Sequence, residues 1–423
     1  MSSQKNLWSV AAIVSVFIVL LAGALASAEK VVVWTTSNNK MDVHYEFLIN
    51  QAKMKDPSLD VELSVVATAQ ADFLQKLSIA IATGTAPDFA WMDSGLVKSW
   101  ASQGLLTDIT KAVADMNMAP SDLEEMSYKG KIYGAPLYIA VRGLVKRVDY
   151  LQNAGINPAQ DPANIEELDQ WNQKLTIKHP DGKYQQVGFL PWEGNWGGAG
   201  WIWAFGGELI TETEKGFFPT ADLPANIHAF NWLAEWGLRL GRVLRPFAGG
   251  YNRSYPYQLA DGYVAMQAAS TTQVSQQILP LNVPITTGRV PHVPGGRNGA
   301  WGGAQCVVIP VNATNKEGAL RLLPHFISTE AQVTWYRNNK ELLPANLDAL
   351  FQIARDLPVA YGHLLDQVAE LNARPPLWTE YNSALNSAMQ QVVQGKAMPA
   401  QALSDVQAQM AAMYEEFNKS LKQ

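Results

Sequence analysis

The stretch from Pro191 to Phe205 holds four tryptophans, Trp192, Trp196, Trp201 and Trp203, punctuated by Gly194, Gly197, Gly198 and Gly200. An indole presents a wide rigid face at a low cost in conformational freedom, and a glycine-rich segment has little reason to carry four of them in a core. A flat aromatic packs well on the C–H face of a sugar ring, whose rim of hydroxyls then needs amide, carboxylate or guanidinium partners. Trp192 and Trp196 are therefore assigned to a binding cleft, with Glu193 between them as a carboxylate suited to a pair of hydroxyls. Trp201 and Trp203 adjoin Ile202, Phe205 and the Gly206-Gly207 turn, and are assigned to a packed helix. Trp301, beside Gly302, and Trp378, after Pro375-Pro376, join the cleft set. Trp232, Trp236 and Trp335 fall within helical patterns and, with Trp100 and Trp171, are assigned to packing.

Catalytic chemistry finds little support. The six histidines show no HExxH or other ligand spacing, and there is no GxSxG, P-loop or GxGxxG after a strand. Carboxylates are plentiful, and a glycosidase needs only two of them about 5 to 10 Å apart, so a secreted glycoside hydrolase or lyase stays open as an alternative. No pair is singled out, and no catalytic residue, metal site or cofactor is expected. One cysteine rules out an intramolecular disulfide and a thiolate-rich metal site; Cys306, inside an apolar run, reads as a buried small hydrophobe.

The elements that must position these residues alternate. Val31 to Trp34 is a continuous apolar run, expected of a strand buried on both faces, and Val61, Leu63 and Val65 alternate as a second strand. A helix is predicted between them over Val43 to Lys55, with Val43, Phe47, Leu48 and Met54 on one face. Phe73, Leu74, Leu77 and Ile81 repeat the helical period up to Gly84, and Ala86 to Trp91 reads as a third strand. This β-α-β-α-β order predicts a doubly wound sheet with its ligand beyond the carboxyl ends of the strands. Ser37, Gln70 and Asp93 follow the three strands and become candidate hydroxyl partners, each also a natural helix cap. Further on, Gly134 to Val145 is strand-like and Asn164 with Glu167 opens a helix to about Leu175. Val187 to Leu190 is strand-like again, and a helix runs from Pro224 to Leu240. Gly303 to Pro310 and Asn315 to Ser328 read as strand and helix, the helix kinked by Pro324. Two amphipathic helices, broken at Met398-Pro399, close the chain.

A length of 423 residues, 48% of them hydrophobic, argues for two lobes, because single cores stop growing at roughly 250 to 300 residues. Net charge is −6 and no basic run is present, so no nucleic-acid partner is expected. Lys5, the apolar Leu7 to Leu25 and Ala26-Ser27-Ala28 form an export signal over residues 1–28, predicting a mature start at Glu29; an uncleaved anchor is the alternative. Cys306 is far from that junction, so no lipid anchor is expected, and a soluble periplasmic protein fits best.

Several stretches, in order, resemble the carbohydrate branch of the periplasmic solute-binding proteins of ABC importers, the group that includes maltose-binding protein. They are the opening strand, Lys76 to Asp88, Gly104 to Asp108, Gly130 to Pro136, Asp261 to Met266, Gly302-Gly303 before a strand, and Asn315 to Gln332. Together they span nearly all of the mature chain. Leu144 to Asp149 departs from the family's usual Tyr-Asn-x-Asp turn. The resemblance implies a periplasmic-binding-protein fold of two α/β lobes, residues 29–139 with 299–344 and residues 140–298 with 345–423. Chain crossings are placed near Leu137 to Arg142, Pro294 to Ala300 and Leu343 to Leu347. It also matches Trp378 to a position where the family often has a cleft aromatic. Tyr138 and Arg142 flank a crossing and are expected to reach the cleft. The function implied is capture of a sugar or oligosaccharide by a monomer that closes on it and delivers it to the transmembrane permease subunits. A polyol or a charged or phosphorylated solute, which would need Arg142, Arg253, Arg297 or lysines in the cleft, is the alternative within the same fold.

Overall fold

The computed structural model describes residues 30–248, 251, 253, 255–361 and 364–421; the export signal expected over 1–28 lies outside them. The chain divides into two compact units, one of residues up to Ala90 with Asn312–Phe326, the other of Trp91–Val311 with the residues from Ile327 onward.

In the first unit, strand β1 (Val31–Thr36) lies between β2 (Val61–Ala67) and the start of β3 (Phe89–Asp93), parallel to both. Val31 and Val33 are buried but Val32 and Trp34 only half-buried, so β1 is not fully covered on both faces as the apolar run suggests, and Val65 on β2 is exposed. The third strand begins three residues later than the sequence suggests because Asp88 has a different task. Its carboxylate accepts the Val32 amide at 2.9 Å and the Asn315 amide at 2.7 Å, tying β1 to the returning segment. Helices Met41–Lys55 and Gln70–Thr83 follow β1 and β2, and the second stops at Gly84, whose φ of 74° suits glycine. The first helix forms where predicted but buries a different face. His44, Tyr45, Leu48, Ile49 and Ala52 point inward, while Val43 and Met54 are exposed. Tyr45 packs edge-on against Phe326 at 5.1 Å, and this tertiary partner decides the helix rotation.

Among the described residues, the second unit contains two larger strand groups and two short hairpins, Ser127–Tyr128 with Lys131–Ile132 and Ile210–Thr213 with Gly216–Pro219. In one of the larger groups, β4 (Ala135–Ile139) pairs antiparallel with β10 (Ala304–Val308) and with β11 (Leu343–Pro344). The other is a five-stranded sheet in the order β9-β5-β8-β7-β6, built from β5 (Arg142–Arg147), β6 (Ile177–Lys178), β7 (Tyr184–Gly194), β8 (Val264–Ser270) and β9 (Ile285–Gly288). The single strand-like stretch expected over 134–145 is thus two strands in different sheets, separated only by Ala140 and Val141. The chain returns to the first group between Gly288 and Ala304.

Helices form where local signals place them. Asn164 caps Ile165–Leu175 by accepting the Glu167 amide at 2.8 Å. Pro224 and Pro399 each occupy the first turn of a helix, Pro224–Arg239 and Pro399–Ser420. The expected kink at Pro324 is a break between Lys316–Leu322 and Pro324–Ile327. The tryptophan-rich stretch ends β7 and then forms the helix Gly197–Ala204. That helix has no cap of its own. Asn386, on the helix Trp378–Val393, supplies one by accepting the Gly198 amide at 3.0 Å.

Candidate functional site

Two cavities of similar size, each lined from the second unit alone, contain residues singled out by the sequence; two others in that unit, about 500 and 510 Å³, lie around Lys215 and Phe217. One of the first two, about 340 Å³, has Trp192, Glu193, Trp196 and Trp301 in its wall, four of the sequence candidates. The other, about 330 Å³, is walled by Trp203, Glu208, Arg297, Arg374 and Lys98.

The first cavity takes its form from the end of β7 and the glycine-rich start of the following helix. Trp192 is held by its indole N–H, which donates to the Leu244 carbonyl at 2.8 Å. Trp196 is only 1% exposed and its indole N–H has no acceptor among the described residues. It lies against two glycines. A Cβ on Gly200 would stand 2.5 Å from Trp196 Nε1, and one on Gly299 would stand 2.7 Å from its Cζ2. This close approach explains why the segment needs glycine between its indoles. The Glu193 carboxylate accepts from Arg245 Nε at 2.8 Å, so an arginine already occupies the group expected to meet hydroxyls. Asn195, Tyr255, Asn382, Asn386 and Gln390 also contribute polar groups to the wall.

The tryptophans are linked. Trp301 donates its indole N–H to the Trp196 carbonyl at 3.4 Å and packs at 59° against Trp378, with ring centres 4.9 Å apart. Trp378 in turn lies parallel to Trp203, 5° between planes and 6.1 Å between centres. Trp378 lines neither cavity and is 6% exposed. Trp203, assigned from its helical pattern to packing, is buried as expected and also forms a wall of the second cavity. The aromatic cluster therefore joins residues far apart in sequence, through side-chain packing that no local spacing encodes.

Asp93 ends β3 and does two things at once. Its Oδ1 accepts the Gly95 amide at 3.0 Å, capping the helix Ser94–Ser102, and meets Arg374 Nη1 at 2.8 Å, while Oδ2 accepts from Gln305 at 3.1 Å. Arg374 was not singled out by the sequence; the Pro375-Pro376 pair beside it was the available signal. It is buried and also bonds Glu125, through Nε at 3.0 Å and Nη2 at 2.9 Å, and the Ser94 hydroxyl at 2.6 Å. Burial alone opposes the Arg374 charge, but Asp93 and Glu125 outweigh it and hold the proton more firmly than usual. Asp122, one helical turn before Glu125, has neither oxygen bonded. Burial, then the Glu125 charge, pushes its carboxyl well above the ordinary range. Cys306 is buried, with its thiol toward the Met92 carbonyl at 3.3 Å, and burial raises its pKa.

Arg142 begins β5 under the aromatic cluster. Its guanidinium carbon lies 3.1 Å from the centre of the Trp301 ring. Nη1 donates to the carbonyls of Ala140 and Trp301, both at 3.1 Å, and of Gly302 at 3.3 Å, and Nε to Asn195 at 3.3 Å. Burial, with the like charge of Arg374, lowers its pKa to about 9. Tyr138 is buried on β4 opposite Gln305 and Pro344 and lines neither cavity. Ser37 and Gln70 belong to the first unit, where Ser37 follows β1 and Gln70 opens a helix, both partly buried. Among the described residues, no group of three or more His, Cys, Asp or Glu could hold a metal, and no helix is long and apolar enough to cross a membrane.

Residues 45–333 match the family model of bacterial extracellular solute-binding proteins. A putative binding protein of Brucella abortus is 23% identical over 96% of this chain and 98% of its own length. Among solved structures, maltose-binding MalE from Listeria monocytogenes, in complex with maltose, superposes with a TM-score of 0.73 at 18% identity, covering 92% of this chain and 98% of that one. UgpB from Mycobacterium tuberculosis, in complex with glycerophosphocholine, does so with a TM-score of 0.73 at 17% identity, covering 92% and 98%. The α/β fold expected from the sequence is the fold of these proteins.

Proposed function

Because the chain belongs to the bacterial extracellular solute-binding proteins, we propose that it is the non-catalytic capture subunit of an ABC importer and that its ligand is a neutral sugar or oligosaccharide. One observation carries the choice of ligand: every cation lining the two cavities already has an internal counterpart. In the tryptophan-lined cavity Arg245 rests on Glu193 at 2.8 Å. In the other, Arg297 grips Glu208 through both terminal nitrogens at 2.5 and 2.9 Å, Arg374 is held by Asp93 and Glu125, and Lys98 stands 4.0 Å from Glu212. Arg142 is spent on carbonyls and a ring.

A phosphate or carboxylate ligand needs a guanidinium or ammonium free to pair with it. Recruiting one here would strip a carboxylate of its partner. What remains suits hydroxyls and a C–H face: the amides of Asn382, Asn386 and Gln390 line the same cavity as Trp192, Trp196 and Trp301. The glycerophosphocholine complex of UgpB keeps a charged solute as the second reading, and the paired charges weigh against it.

In this reading the lobes are residues 29–139 with 299–344 and 140–298 with 345–423, the ligand closes them by a hinge motion, and the closed monomer meets the permease from the periplasm. The test is a thermal-shift panel of maltose, lactose, mannobiose, glycerol and glycerol 3-phosphate. A ligand that closes the protein stabilises it by mass action. A rise in Tm with one or more of the saccharides and none with glycerol 3-phosphate is expected; the reverse pattern overturns the sugar reading. Products accumulating from a bound oligosaccharide would show an enzyme instead.

A further inference from the structure

The Gly302-Gly303 pair and Arg142 were noted in the sequence for separate reasons, and the structure puts them together. The Arg142 guanidinium lies close to two parts of the chain. One is the Trp301 ring, whose centre is 3.1 Å from the guanidinium carbon. The other is Gly303, where an added Cβ would stand 3.1 Å from Nη1 and 3.4 Å from Nη2. Its Nη1 also grips the Trp301 and Gly302 carbonyls, so both the ring and the backbone of residue 301 are fixed by one side chain. Trp301 lines the candidate cavity, whereas Arg142 and Gly303 do not.

We propose that Arg142 is a positioning residue: rather than touching the ligand, it sets the plane of the Trp301 indole, and Gly303 is glycine to admit the guanidinium. Three physical points support this. A planar guanidinium stacks on an indole, and a desolvated cation–π contact is worth about thirtyfold in an equilibrium. Lysine can supply the charge but neither the planar stack nor the fork. A cation that already covers one indole face leaves that face closed to any ligand, cationic ones included. The role of Trp301 as a ligand contact rests on the sugar reading above; the orientation of its ring does not.

The experiment uses the full chain and two readouts. The first needs no ligand: near-ultraviolet circular dichroism, which reports how tryptophans are held. Arg142→Lys keeps a donor for the carbonyls, and Gly303→Ala keeps Arg142 itself while crowding it. Both variants should change the tryptophan bands, and Arg142→Lys should add nothing to the spectrum of Trp301→Phe. An unchanged spectrum in Arg142→Lys and Gly303→Ala would overturn the proposal. The second readout is affinity for whichever of maltose, lactose or mannobiose raises Tm most. Arg142→Lys should weaken it about tenfold in the wild-type background and less than twofold in Trp301→Phe, the non-additivity of residues acting as one. An undiminished loss in Trp301→Phe would mean direct contact with the ligand and would also overturn it. Should none of the saccharides bind the wild-type protein, the ligand reading fails, and the dichroism by itself decides the positioning role.

Discussion

Arg374 and Asp93 form an ion pair largely withdrawn from water, 2.8 Å between Nη1 and Oδ1, with side-chain exposures of 4% and 17%. Glu125, wholly buried, shares the same guanidinium. Removing one partner of such a network leaves charge stranded where water cannot reach it, which typically costs about 3–5 kcal/mol. Arg374→Met should therefore lower the unfolding free energy by that amount in urea titrations, far more than Arg297→Met, whose pair with Glu208 is exposed at 41% and 52%.

Asp122 gives a pH dependence of definite sign. Its folded-state pKa stands well above the ordinary value of 3.8, through burial first and Glu125 second. A carboxyl raised in the folded state contributes stability that is complete below the unfolded value and is lost as pH rises toward the folded one. Urea midpoints of Asp122→Asn and wild type should diverge as pH rises from 5 to 8, with the variant gaining on the wild type. A constant difference across that range would show that Asp122 ionises freely.

Trp192 is the cavity aromatic with the clearest tether, its N–H fixed to Leu244. Trp192→Ala should weaken saccharide binding at least tenfold, read by tryptophan fluorescence titration. Trp192→Phe should recover part of that loss, since it keeps an aromatic face but loses the tether.

Asn386 supplies the cap that the helix Gly197–Ala204 lacks. Asn386→Ala should cost about 1 kcal/mol of stability in chemical denaturation, the usual size for a lost N-cap. Because the helix carries Gly200, against which Trp196 lies, the same variant should also change the tryptophan emission.

Much of the fold was legible because its signals are local. Strand and helix alternate as the apolar periods predict, Gly84 and Asn164 end and begin helices as their chemistry dictates, and Pro324 and Pro399 interrupt and open helices where they stand. Periodicity did less well for the helix Met41–Lys55, where a contact with Phe326, distant in sequence, chose the buried face. It could not divide 134–145 between two sheets, since both strands are fully buried and read as one apolar run.

The candidate site divides along the same line. Sequence by itself identified the tryptophan-rich glycine segment, the carboxylates beside it and the solute-binding family, because residue type and order are enough for those. Only tertiary structure decided what each group is free to do. Glu193 and Asp93 proved to be paired with Arg245 and Arg374, Arg142 to be stacked on Trp301, and Trp203 to extend the cluster through Trp378. A charge or an aromatic face is available to a ligand only if no internal partner takes it, and those partners come from segments far away in the chain. Their pairing depends on distances of a few ångströms that spacing along the sequence does not carry.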